Sequence, residues 1–159
     1  MAKAREIPGL GPSLPFREAA AATIEIRSEE LFAFAEGVLD TEDIERVHDM
    51  RVATRRLRAA MEVFAPCFPK REHRRALRAV KRLADALGAR RDPDVAIEGL
   101  QRVEAALGAA DRRGIESLVE ELRSEQAQGN EVLAAALREL GESSLRERLL
   151  ALAQEAREP

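Results

Sequence analysis

The chain has 159 residues, rich in Ala, Leu, Arg and Glu, with no Trp or Tyr, one cysteine and a formal charge of −3. That length supports one domain with its own core and no metal or disulfide staple. The lone Cys67 excludes an internal disulfide and fits a reducing compartment, and no run approaches the 18 apolar residues of a membrane span, so a soluble cytoplasmic helical protein is expected.

Residues 1–13 hold Pro8, Gly9, Gly11 and Pro12 and read as a flexible arm ahead of a single helical domain over 14–159. Leu14, Ala21, Ile24, Leu31, Phe34, Ala35 and Val38 recur at helical spacing and predict a first helix that stops near Gly37 to Asp40. Thr41 is the expected N-cap of a second helix running to about Phe64, closed by Pro66 and Pro69. A third helix is expected from Pro69 to Leu87, with Gly88 as its left-handed C-cap. Asp92 followed by Pro93 carries the signature of an N-cap and first turn, which starts a fourth helix ending near Gly108. Ile115, Leu118, Val119, Leu122, Leu133, Ala136, Leu137 and Leu140 hold phase over a long fifth helix, weakened at Gly129-Asn130. Ser144 and Glu147 form a capping box for a sixth. The expected fold is all-α, an antiparallel bundle of about six helices with a four-helix-bundle-like core. The five Phe residues read as core, Cys67 as a small apolar plug at a helix end, and His73 as a surface or packing residue.

Charge is distributed unevenly. Between Arg46 and Arg91 there are fourteen Lys/Arg against four Asp/Glu, a formal +10, so the remainder carries −13. A basic block inside an acidic chain points to an anionic partner. On the second helix His48, Arg51, Arg55, Arg58 and Glu62, spaced 3, 4, 3, 4, fall in an arc of roughly 80° at about 100° per residue, and Arg56 falls off that stripe. On the third, Arg71, Arg74, Arg75, Arg78, Lys81, Arg82 and Asp85 share one face. Like charges at these spacings each cost roughly 0.2–0.5 kcal/mol. Two stripes facing one groove would hold phosphate oxygens between guanidinium forks, with Glu62 and Asp85 as charge balancers at the ends. Arg90 and Arg91, just before the expected Asp92-capped helix, extend the same anion site.

Two stretches carry a resemblance: Val47-His48-Asp49-Met50-Arg51-Val52-Ala53-Thr54-Arg55-Arg56-Leu57-Arg58, and Leu87-Gly88-Ala89-Arg90-Arg91-Asp92-Pro93-Asp94-Val95. In order and separation they resemble the CHAD family, the conserved histidine α-helical domain. The resemblance implies a non-catalytic helical module that binds inorganic polyphosphate in a basic groove, in a family whose members are in some cases fused to triphosphate-processing CYTH domains, and a cytoplasmic location with polyphosphate granules. It implies His48, Arg51, Arg55, Arg58, Lys81, Arg82 and Arg91 as contacts, with Arg78 and Arg74 on the same face and Arg90 beside Arg91. Asp92 and Asp94 are then expected to orient arginines and cap a helix. The family continues into a second helical half with its own basic motif. Residues 96–159 hold no histidine and no second His-x-x-Arg ridge, so the chain resembles one half, and a homodimer is expected to complete the groove.

Other readings weigh less. Histidine phosphotransfer through His48 is disfavoured by the bulky cations crowding it. A metal site is disfavoured because only His48 and His73 exist and no ligand spacing appears. Nucleic acid would feel the same field, yet few amide side chains sit on the stripes to read bases, and aromatic stacking platforms are scarce.

Overall fold

The structure, a computed structural model, describes residues 3–107 and 109–158. Helix α1 (Phe16–Ala33) starts behind Pro15 and buries Ala20, Ala21, Ile24 and Leu31. Helix α2 (Ile44–Val63) buries Val47, Met50, Leu57 and Met61, and a short 3-10 turn over Ala65–Cys67, built on Pro66, leads into α3 (Lys70–Glu104). Helix α3 buries Ala76, Val80, Leu83 and Leu87, one side at i, i+3, i+4 spacing. Helices α4 (Ala109–Glu142) and α5 (Leu145–Arg157) complete the chain, and all described regular structure is helical.

Packing follows from those apolar sides. Helix α1 lies against α2 and α5, and α3 lies against α2, α4 and α5. The cross-contacts give directions: His73 reaches the Met61 carbonyl while Gly88 lies beside Arg51, so α2 and α3 are antiparallel. Arg146 sits over the Phe32 ring at 5.6 Å while Arg157 reaches Glu18, so α1 and α5 are antiparallel too. Thus α1, α2, the first half of α3 and α5 enclose a core that Leu133 and Leu140 of α4 also enter, and α4 runs along α3 from Glu139, beside Arg82, to Gln126, beside Asp94.

An arginine from each helix locks the α1–α5 seam where α1 begins and α5 ends. Arg17 of α1 donates to the carbonyls of Ala156, Glu155 and Glu158, at 2.9, 3.3 and 2.9 Å, capping the acceptors left open at the end of α5. In return Arg157 of α5 makes a two-pronged bond to Glu25 at 2.6 and 2.8 Å and touches Glu18 at 3.3 Å. The Arg157 guanidinium holds the Glu25 carboxyl below its ordinary value. Near the N-terminus, Arg5 pairs with Glu29 at 2.9 Å, and buried Glu30 takes Arg27.

Several sequence expectations are corrected. Gly88 does not end a helix, and Asp92-Pro93 does not start one: α3 is continuous from Lys70 to Glu104 with Pro93 inside it. The expected end near Gly108 falls outside the described residues. Proline has no N–H, so the Ala89 carbonyl, four residues earlier, loses its helical donor. At that point Gly129 of α4 comes so near that an added Cβ would lie 2.7 Å from the Ala89 oxygen. Gly129-Asn130 is therefore not a weak point in α4 but the place where two backbones approach. At Gly88 the neighbour is instead a side chain, Arg51 Nη1, 3.3 Å from a Cβ built there.

Helix α2 starts at Ile44 rather than after Thr41. An Asp40 side chain accepting the Glu42 N–H at 3.0 Å holds the preceding loop in a turn. Ser144 makes no capping box; it adopts φ 51°, donates its N–H to the Gly141 carbonyl, and so closes α4 as its left-handed terminal residue. Phe16 is exposed, not core, and its ring leans on Phe64 at 5.0 Å. Phe68 and Cys67 are buried as expected, and His73 is a packing residue, stacked on Phe68 with Nε2 at 2.8 Å from the Met61 carbonyl.

Gly129→Ala should destabilise by about 1–3 kcal/mol through overpacking. Gly114→Ala, with open space around its Cβ, should stabilise by about 0.5–1 kcal/mol. Urea titration of both variants checks the contrast. The Glu25 carboxyl is depressed, so its stabilisation is present above the unfolded value of about 4.3 and is lost as pH falls through the folded value. Arg157→Ala should therefore lose stability at pH 7 and differ progressively less from the parent as acid is added, which thermal melts at pH 7 and pH 3 will show.

Candidate anion-binding site

Helix α2 carries its cations on the side away from its buried stripe. His48, Arg51, Val52, Arg55, Arg56 and Arg58 line a concavity of about 320 Å³, and Ala84 of α3 joins them. The small side chain at 84 leaves the floor open where a longer one would fill it. From His48 to Arg58 the row spans about 15 Å at 1.5 Å per residue. Arg51 and Arg55 are exposed and, among the described residues, have no hydrogen-bond or ion-pair partner.

The two helices' cations meet around one carboxylate. Glu62 lies 3.8 Å from Arg58 of its own helix and 3.5 Å from Lys81 of α3. Both bridges are near half-exposed, so they contribute little stability, but they show that the α2 row and Lys81 border one trough. Arg78 and Arg74, three and seven residues before Lys81, share its face of α3, are exposed, and have no partner among the described residues. Arg82 turns the other way, to Glu139 of α4 at 2.5 Å.

Arg56, set aside in the sequence because it falls off the stripe, lines the same concavity as Arg51 and Arg55. Its backbone angle gave no signal; the length of an arginine lets the guanidinium reach around the helix.

The expectation for Arg90 is overturned. Arg90 is fully buried, and an anion has no access to it. It forms a buried ion pair with Asp94 one turn on, and its Nε donates to Asn130 Oδ1 at 3.2 Å. Gln126 donates to Asp94 Oδ1 at 2.7 Å, and Asn130 donates to the Leu39 carbonyl at 2.9 Å. Arg90 thus ties α3 to α4 and to the α1–α2 loop. Asp94 orients arginine, as expected, but caps nothing, and Asp92 is an exposed mid-helix residue. Arg91 is nearly enclosed, 12% exposed, with Nη1 4.0 Å from Asp94 Oδ2. Among the described residues no His, Cys, Asp and Glu group is arranged to hold a metal ion, and no helix is long and apolar enough to cross a membrane.

The helical bundle thus carries a row of α2 cations around one concavity, and Lys81 of α3 meets the same carboxylate as Arg58 at its edge. The CHAD domain model matches residues 22–159, and the chain belongs to that family. The CHAD domain is met generally in polyphosphate-binding contexts, as a binding or structural domain rather than a catalytic one. No curated protein and no solved structure matches the chain.

Breaking the buried pair from one side should be severe. Asp94→Asn leaves the Arg90 charge uncompensated and should cost about 3–5 kcal/mol, whereas the double replacement Arg90→Met with Asp94→Leu should recover much of that loss. Guanidinium unfolding curves of the single and double variants test this.

Proposed function

We propose that the α2–α3 trough binds inorganic polyphosphate and that the domain acts by binding rather than by catalysis. The observation that supports this reading most is the convergence of His48, Arg51, Arg55, Arg56 and Arg58 on one concavity, joined to Lys81 through Glu62. Guanidinium groups along a groove suit a flexible chain of phosphates, since each fork takes two oxygens and none needs a base to read. Arg74 and Arg78 carry the same track along α3. Membership of the CHAD family supports the choice of polyphosphate among phosphate polymers.

Every residue lining the concavity comes from α2 and α3, so the polymer would be held from one side. A second copy of the chain laid over the trough would enclose it, and sedimentation with and without long-chain polyphosphate tests that arrangement: a species of one mass in both would remove it.

Binding of long-chain polyphosphate should weaken with salt, log affinity falling by roughly 0.7 per phosphate contact if the polymer behaves as a single strand. Arg51→Ala and Arg55→Ala should each lower affinity and flatten that slope by about one contact, with helicity unchanged. Arg102→Ala, exposed near the far end of α3 and paired with Glu98, should do neither. Fluorescence anisotropy across a salt series reads all three, and a wild-type slope in Arg51→Ala would remove the trough from consideration. Displacement of polyphosphate by duplex or single-stranded nucleic acid at equal phosphate concentration would reassign the ligand.

A further inference from the structure

On its other flank α3 turns Arg71 and Arg75 towards α5, where Arg148 joins them around a cavity of about 350 Å³ floored by Leu152. These three guanidinium groups have no ion-pair or hydrogen-bond partner among the described residues, although Glu72 and Glu155 line the same cavity. The Glu155 Oε2 is buried and has no hydrogen-bond partner among the described residues either. A buried acceptor left unmade is costly, and buried polar groups are nearly always paired. The cavity therefore combines two unmet demands, an anion for the arginines and a donor for the glutamate, above an apolar floor.

One small ligand class answers all three. An inorganic polyanion would satisfy the arginines but would face Glu155 and Glu72 with like charge and leave the buried oxygen unpaired. A ribonucleoside phosphate brings a phosphate for Arg71, Arg75 and Arg148, a vicinal diol whose O–H groups donate to a carboxylate, and a flat base to cover Leu152. The volume lies within the ordinary range of small-molecule sites, roughly 300–1,000 Å³. We propose that the α3–α5 cavity is a second ligand site, specific for a ribonucleoside phosphate and separate from the α2–α3 trough.

Titration calorimetry with adenosine 5′-monophosphate, its 2′-deoxy analogue and tripolyphosphate tests the proposal on the full chain. The ribonucleotide should bind one to one, and the deoxy analogue about tenfold more weakly, having lost an O–H donor to Glu155. Arg75→Leu, on the exposed flank, and Arg148→Leu should each weaken the ribonucleotide about tenfold, and circular dichroism identifies any variant that fails to fold. Glu155→Gln should remove the preference for the ribose form, and Arg51→Ala should leave ribonucleotide affinity unchanged while weakening polyphosphate. The proposal is overturned if wild-type chain binds no ribonucleotide, if the ribo and deoxy forms bind equally, or if tripolyphosphate binds through Arg148 as tightly. Loss of ribonucleotide binding in Arg51→Ala would overturn it as well, by placing the ligand in the trough.

Discussion

Arg90 carries a charge that does not reach water, and the crossing of α3 and α4 is arranged around it. A buried guanidinium must be paired or it unfolds its surroundings, so Asp94 one turn on, Asn130 and Gln126 of α4, and through Asn130 the Leu39 carbonyl are held in register. Gly129, next to Asn130, lets α4 approach closely enough for those bonds to form. Pro93, in the same turn of α3, frees the Ala89 carbonyl on the side where α4 arrives. A short stretch of α3 is thus proline-interrupted, charged and buried at once, and each feature is tolerable because of the others. The pair adds less to net stability than it does to register, since apolar groups of the same volume would bury more cheaply.

Once that register holds, the remaining arginines divide into two populations. Arg5, Arg27, Arg46 and Arg157 meet carboxylates on or against α1, α5 and the connecting loop, Arg17 meets carbonyls there, and Arg58, Arg82, Arg102 and Arg123 meet carboxylates on α2, α3 and α4. Arg51, Arg55, Arg71, Arg74, Arg75, Arg78 and Arg148 meet no such partner among the described residues. The chain does not lack carboxylates, being −3 overall, so the unpaired set is a matter of placement. Like charges at helical spacing raise the energy of the free fold, and an anion that relieves this repulsion gains affinity from it. The bundle can carry that repulsion because its core and the α1–α5 lock do not involve those residues.

Much of this was legible in the residues. The apolar periods of the first and fifth expected helices predicted buried sides correctly, as Ala21, Ile24, Leu31, Val119, Leu133 and Leu140 show, because helix amphipathicity is a one-dimensional signal. The α2 stripe was visible for the same reason. The second half of α3 was misread because Asp92-Pro93 has the same local chemistry at a helix start as inside a helix; only a partner backbone 40 residues away resolves it. Arg90 was placed with Arg91 on the strength of charge alone, and nothing local marks one as buried and the other as nearly so. Gly88 and Gly129 were read as breaks, the default for glycine, although both lie inside helices and Gly129 serves the close approach of α4 to α3. The α3–α5 cavity was invisible because it needs Arg71, Arg75, Arg148 and Glu155 from helices distant in sequence.

Helix α3 forms a wall of both crevices, and its period decides how they share it. Arg74, Arg78 and Lys81 lie on one flank and Arg71, Arg75 and Arg82 on the next, so one helix offers basic rows in two directions without a residue serving both. An anion at Arg51, beside Gly88, and one at Arg75, thirteen residues earlier on α3, would lie about 20 Å apart at 1.5 Å per residue, which is beyond the Debye length of about 8 Å at physiological ionic strength. Their mutual repulsion is then largely screened, and one flank can fill without emptying the other. As salt is lowered the screening length grows past that separation, so the two occupancies begin to oppose one another while each alone becomes tighter. The two proposed anion sites would therefore be compatible at physiological ionic strength, because the stretch of α3 between Arg75 and Gly88 is longer than the distance over which charges there are felt.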